Sequence, residues 1–452
     1  MKARILLASV IPMILLSIAG CKQTIPTEPL ANPHDPQTAA FSPYGPTSLS
    51  LVADTGSVPT LRWKDSSNFI TQFVVERRGS AGTFTEVSRV PRSSFQFRDT
   101  SASQITDYVY RVSAVADTHR SAPSNEVSAG YRPRITLARS ITAAGGFFSL
   151  SPDGRQIIAQ AGGGGGNPPS TYRLIDASSG QLLQTFRRDS VSASTTCPPL
   201  FMPDGKSVLL SYSDATVCLW NVASGGIVSR FTRTGGPFGT IAVQGYVESM
   251  DVSPDGNLLA VGIFDLAEVD VWNITSGTIV QRIPVGPIGD ASPYAAFSTD
   301  GRSLVVLSGG SSTIWNTADW SSRTLPITSE FGNGLMFNSS STLLGWTYTI
   351  GFTVFDLSSG SAWGTANYGG GGTKPGWSAF LPARPYFLVS LAMDDNRISV
   401  YRLSDAKQVS TLTCAALAGC FRLTADGRQL FVSNGVSIDV YHVDFGWAEV
   451  GP

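Results

Sequence analysis

The feature that most limits what this chain can become is a turn that keeps returning. Ser253-Pro254-Asp255-Gly256 is its best copy: proline presets one backbone angle, aspartate hydrogen-bonds locally, and glycine accepts positive φ. Residues 257–263 then form an apolar β run. Residues 269–273 alternate Val/Asp/Val/Trp as a half-buried strand should, and Thr275-Ser276-Gly277 turns the chain into a further strand over 278–283. The stretch 250–283 therefore predicts four short antiparallel strands whose sheet has two faces to cover. Such a sheet is not stable alone, so its recurrence decides the fold.

It recurs seven times. The turn returns as Asp153-Gly154, Asp204-Gly205, Asp255-Gly256, Asp300-Gly301 and Asp426-Gly427, with degenerate copies at Asn338–Ser341 and at 382–384. A third-strand motif keeps step with it, as in Val217-Cys218-Leu219-Trp220-Asn221, Thr313-Ile314-Trp315-Asn316 and Ile398-Ser399-Val400-Tyr401-Arg402. Seven four-strand units at intervals of roughly 40–50 residues predict a seven-bladed β-propeller over 134–452. The units resemble WD-repeat and related bacterial propeller repeats in their Ser-Pro-Asp-Gly and Trp-Asn marks. They depart from WD repeats in lacking the Gly-His dipeptide, so the hydrogen-bond tetrad built on it cannot form. Packing of aromatic and β-branched faces between blades, with Trp272 as one such residue, must replace it. The last unit supplies only three good strands and a short aromatic tail. Residues 135–141 form a strand without partners of their own and are expected to complete that blade, hiding both edges.

Residues 46–133 alternate apolar and polar positions through Leu61-Arg62-Trp63, Phe73-Val74-Val75-Glu76-Arg77 and the strand opening at Tyr108. This segment resembles a fibronectin type III domain, with Trp63 at the core tryptophan and Tyr108 at the tyrosine corner. The resemblance implies a β-sandwich, and it gives both aromatics a packing role. The whole chain is thus expected to be all-β.

Ahead of it, Lys2 and Arg4 precede an apolar stretch too short to span a bilayer, ending in Ile18-Ala19-Gly20-Cys21. This resembles a bacterial lipobox, which implies a signal peptide over 1–20 and lipidation of Cys21. Lys22 after the cysteine points by the same resemblance to the outer membrane. Residues 21–45 carry five prolines after the cysteine and little periodicity, the composition of a spacer from the membrane.

In the oxidising compartment that such a leader implies, Cys414 and Cys420 share one short connection and are a candidate disulfide. Closing that loop stabilises by only about 2–2.5 kcal/mol. Cys197 and Cys218 form a second candidate pair, on strands that should not be neighbours, the alternative being two buried free thiols. A net charge of −1, with no basic stripe to release counterions, argues against a nucleic-acid partner. Only three histidines exist, and His442 is the one inside the repeats, so a Ser-His-Asp triad has little to be built from. No Gly-x-Ser-x-Gly elbow, zinc spacing or calcium loop occurs, and the expectation is no catalytic residue, no metal and no cofactor. Asp265, Glu268 and Asp270, and likewise Asp394 and Asp395, read as turn acids in water. The glycine runs 162–166 and 369–372 lack the lysine and helix of a phosphate cradle.

Three aromatics, Trp363, Tyr368 and Trp377, flank the second glycine run outside the repeat's own positions. They are candidate partner contacts, with packing over the ring's edge as the competing role. The reading is a monomeric, lipid-anchored, non-catalytic binding or scaffolding protein of the cell envelope that offers a protein or glycan partner a propeller surface. The alternative is a propeller enzyme working in the central channel, lactonase-like or quinoprotein-like, which would show convergent carboxylates there.

Overall fold

The structure is a computed structural model. It describes residues 43–53, 56–67, 69–79, 81–142, 146–161, 171–188, 191, 193, 197–232, 246–286, 293–308, 311–327, 332–348, 351–363, 377–382, 384–390, 396–414 and 420–451. The leader, residues 21–42 with Cys21, Tyr368, Asp394, Asp395 and both glycine runs lie outside the described residues.

The turn motif folds as its chemistry dictates. Ser253 Oγ donates to Asp255 Oδ1 at 2.5 Å, and Asp255 Oδ1 also accepts from the Asn257 amide at 3.1 Å. Ser253 Oγ accepts the Leu258 amide at 2.9 Å, while Gly256 closes the turn at φ +73° on the Ser253 carbonyl. The same four contacts recur at Ser151/Asp153, Ser298/Asp300 and Thr424/Asp426. In the copy at 338–341, Asn338 Oδ1 does the serine's work, accepting from the Thr342 and Leu343 amides.

Each turn joins the first two strands of a four-stranded antiparallel array. Six of the seven arrays are separate four-stranded sheets, and the seventh is the four-strand end of a sheet of eight, counted below as the seventh sheet. The third is Val247–Val252, Leu258–Ile263, Glu268–Asn273 and Thr278–Pro284, the last three within one residue of the strands expected and the first starting three residues before the stretch expected to hold it. The seventh is completed from far away in sequence. Strand Val127–Ile141 pairs antiparallel with Ile438–Glu449, with Ile141 opposite Ile438 and Ile135 opposite Val443. Ser140 Oγ donates to Asp439 Oδ1 across that pairing at 2.6 Å. The expected closing strand is therefore present. The aromatic tail is more than a remnant, because Phe445 and Trp447 continue the same strand, with Trp447 1% exposed and packed on Tyr131.

Neighbouring sheets meet at two levels. Their first strands adjoin, from the third sheet through to the seventh, from the seventh back to the first, and from the first to the second. The second and third share one apolar cluster of Leu209, Leu219, Leu259, Val261 and Trp272. Their turns also touch in sequence: a Cβ at Gly205, Gly256 or Gly301 would lie 3.6, 3.8 or 3.6 Å from Cδ of Pro152, Pro203 or Pro254 in the sheet before. Between the sheets aromatic edges meet faces, Phe186 with Trp220 at 5.6 Å and Phe231 with Trp272 at 5.8 Å.

One expectation about the third sheet needs correction. Its third strand is buried on both faces, and Asp270, expected in water, is wholly buried opposite Arg282, 3.7 Å from its Nε. Alternation of residue type misled because both faces of the sheet are covered by neighbours.

The chain divides into two compact units: residues up to Ser50 with Leu61–Phe97 and Val109–Val127, and Leu51–Thr60 with Arg98–Tyr108 and Ser128–Pro452. The first unit holds strand Gln72–Gly79 between Thr85–Pro91 and Tyr108–Ala116, and Trp63 packs edge-on to Phe73 at 5.3 Å. In the second, Tyr108 Oη accepts the Ser103 amide at 3.2 Å. The second unit also contains a half-hidden charge cluster. Asp107 is paired at 2.8 Å with both Arg132 and Arg402, and Arg402 pairs with Asp405 at 2.6 Å. Among the described residues the only helical turn is the short one at Phe264–Leu266, and no helix is long and apolar enough to cross a membrane.

Candidate ligand cavity

The first strands of six of the seven sheets enclose a cavity of about 620 Å³. Its wall is largely apolar, with Leu200, Met250, Leu335, Met336, Ala379 and Leu423 among its residues. Turn residues Thr299, Ser339, Pro382 and Ala425 line it too, so it reaches the face that carries the Asp-Gly turns. Into this wall the chain sets Glu248, Asp251, Tyr294 and Arg422.

The two acids stand on one strand, Val247–Val252, whose bulge between Val247 and Ser249 lets residues three apart both reach the cavity. Glu248 Oε1 accepts the Tyr294 hydroxyl at 2.6 Å. Burial raises the Glu248 carboxyl and that hydrogen bond partly offsets the rise; burial and the nearby carboxylate raise the tyrosine. Asp251 Oδ2 accepts the Phe297 amide at 2.6 Å. Desolvation outweighs this bond and pushes the Asp251 carboxyl up to about 7. Among the described residues no lysine, arginine or histidine forms an ion pair with either acid.

Arg422, on the first strand of the seventh sheet, lies over the Trp377 ring at 4.5 Å from its centroid. Its Nη1 donates to the Phe421 carbonyl at 2.9 Å and to Cys420 Sγ at 3.5 Å. The cavity thus holds one base and two acids that are not paired with one another, in a low-dielectric wall where each charge is felt strongly.

These residues escape a search for catalytic motifs, yet the repeat carries a signal for Asp251 and Arg422. Two positions before the first residue of each turn stand Ser149, Leu200, Asp251, Ala296, Met336, Ala379 and Arg422. Only the third and seventh units place a charge at this inner position, one acid and one base.

The residues singled out from sequence fall elsewhere or in part here. Trp377 opens the first strand of the sixth sheet, 8% exposed beneath Arg422, so it belongs to the cavity wall rather than to a loop tip. Trp363 is half-buried on the outer strand of the fifth sheet, against the cluster of Phe352, Val354, Phe380 and Phe387. Cys197, Cys218, Cys414 and Cys420 are all buried free thiols, raised by burial, Cys414 to about 11. Cys414 and Cys420 share one apolar cluster, whereas Cys197 and Cys218 belong to different ones. His442 is exposed on the last strand, and among the described residues no three metal-ligating side chains come together.

No protein-family model matches the chain, and no curated protein matches it.

Proposed function

We infer that the seven sheets are the blades of a β-propeller around this cavity, and that the chain is a non-catalytic binding or scaffolding protein. Its recognition surface is the cavity and its turn-lined mouth, offered to a protein or glycan partner. Residues 46–133 are read as a fibronectin type III-like sandwich. The hydroxyl of Tyr108 accepting a backbone amide five residues upstream supports this, as a tyrosine corner does. Lipidation at Cys21 and a proline-rich tether would hold both domains at the bacterial envelope, on the outer membrane. The sequential contact of turns and first strands, returning from the seventh sheet to the first, supports the ring.

One observation carries the functional reading. An apolar cavity of ligand size, about 620 Å³, contains a few charged groups that the protein leaves unpaired with each other. The test is crosslinking of the full chain in its own envelope, beside a variant with Ser339→Arg and Ala425→Arg at the exposed mouth. A partner captured by the wild type should be lost by a variant of unchanged melting temperature. A partner captured equally by both would contradict the reading. Enzymatic use of the channel is the second reading, and the carboxyls of Glu248 and Asp251 favour it as the convergent pair such an enzyme needs. A stoichiometric metal ion in the purified chain would decide for the enzyme.

A further inference from the structure

We propose that the cavity binds a small zwitterion, a ligand with an ammonium group held by Asp251 beside Glu248 and an acidic group held by Arg422, joined by an apolar body. The inference rests on the reading of the cavity as the recognition site. Asp251 and Arg422 occupy the same repeat position on sheets that are not neighbours, so their charges are separated within one cavity. Neither is neutralised by the other, and a ligand with two separated opposite charges is the complement of that arrangement.

The remaining chemistry agrees. Arg422 is fixed by the Trp377 ring, and among the described residues only its Nη1 has protein acceptors, leaving Nη2 and Nε for an incoming carboxylate or phosphate. Glu248 is held by the Tyr294 hydroxyl and adds negative charge on the strand of Asp251. The wall is mainly apolar, with Met250, Leu335, Met336 and Ala379 to suit methylene or aromatic groups, and its other polar side chains are uncharged hydroxyls such as Ser249 and Ser378. A singly charged cation would leave Arg422 unanswered, and a singly charged anion would leave both half-buried acids without a counter-charge.

Ligand binding is linked to the protonation of Asp251. Its carboxyl, at about 7, must ionise to meet an ammonium, and the charged or titratable groups lining the cavity with it are Glu248, Tyr294 and Arg422. Binding should therefore tighten as pH rises. Between pH 5.5 and pH 8 a single carboxyl of this kind gives roughly 30-fold.

The experiment is calorimetric titration of the purified full chain with ω-amino acids from 6-aminohexanoate to 11-aminoundecanoate. Alkylammonium and alkanoate ions of matched length run alongside. One length of zwitterion should bind at least tenfold tighter than both matched single ions and show the pH dependence above. Arg422→Gln should reduce that ligand to the affinity of the alkylammonium, and Asp251→Asn to that of the alkanoate. Three results overturn the proposal: a single ion that binds as tightly as the zwitterion, no binding by any length, or a zwitterion affinity indifferent to pH. The last uses the wild type alone and holds even if a variant misfolds. Such failures leave the crosslinking result standing, because a partner can be captured at the cavity's mouth without any zwitterion inside.

Discussion

Trp272→Ala tests the idea that aromatic packing between sheets takes over the structural work of the missing tetrad. Trp272 is 8% exposed and meets Phe231 of the preceding sheet edge-to-face at 5.8 Å. Burying about 200 Å² of tryptophan at about 25 cal/mol/Å² is worth roughly 5 kcal/mol as an upper value, and large-to-small changes of this kind cost about 3–5 kcal/mol. With roughly 2.1 cal/mol/K of unfolding entropy per residue over roughly 320 residues, a loss of about 4 kcal/mol lowers Tm by roughly 6 °C. Differential scanning calorimetry of the single variants Trp272→Ala and Phe231→Ala and of the double variant completes a cycle. The account expects a coupling of about 0.5–1.5 kcal/mol, the increment of an oriented aromatic pair beyond area. Strict additivity would refute it, as would a shift below about 2 °C. Either result would mean that the sheets are held together by something other than these ring contacts.

Asp107→Ala leaves Arg132 and Arg402, both nearly buried, without their shared carboxylate, and should cost about 3–5 kcal/mol at pH 7 in denaturant unfolding. Burial alone would raise the Asp107 carboxyl, but hydrogen bonds and charge from the two guanidiniums outweigh it and hold the group well below the usual carboxylate range. Its folded pKa is depressed, so its stabilisation is full above the unfolded value of about 4 and fades as pH falls below it. A difference between wild type and variant that stayed constant from pH 7 to pH 3 would contradict the pairing. Gly301→Ala places a Cβ at φ +72° with only an ordinary 3.6 Å approach to Pro254 Cδ. The cost is then backbone strain alone, about 1–2 kcal/mol, and a neutral result in thermal melting would show that the turn is not held left-handed.

What could be read from sequence was what local chemistry decides. The Ser-Pro-Asp-Gly turn is encoded within the six residues 253–258, and its hydrogen bonds form as the side chains demand. The closing strand was legible for another reason: counting strands left one unit short and one strand spare. Asp270 was misread because residue alternation cannot report that a sheet is covered on both faces. The tail through Phe445 and Trp447 read as a remnant because its partner strand lies some 300 positions earlier, where no local pattern points to it. Trp377 was taken from its strand by the glycine run before it, which hid the start of the sixth unit. Glu248, Asp251 and Arg422 went unrecognised because charges at strand ends are ordinary. Asp251 and Arg422 become informative only when the seven inner positions are compared, since five of those are uncharged.

The central claim is that seven sheets close into one ring through a strand supplied from the other end of the repeat region. The most direct measurement is a crosslink at the closure, using the variant Ser140→Cys with Asp439→Cys in the full chain. These residues are opposite in the pairing and their side chains touch at 2.6 Å. The account predicts a disulfide that forms in the folded protein, gives a faster-migrating species on a non-reducing gel and raises Tm, because it closes a loop of 299 sequence positions. Cysteines that stay free under oxidising conditions, in a chain that melts like the wild type, would contradict it.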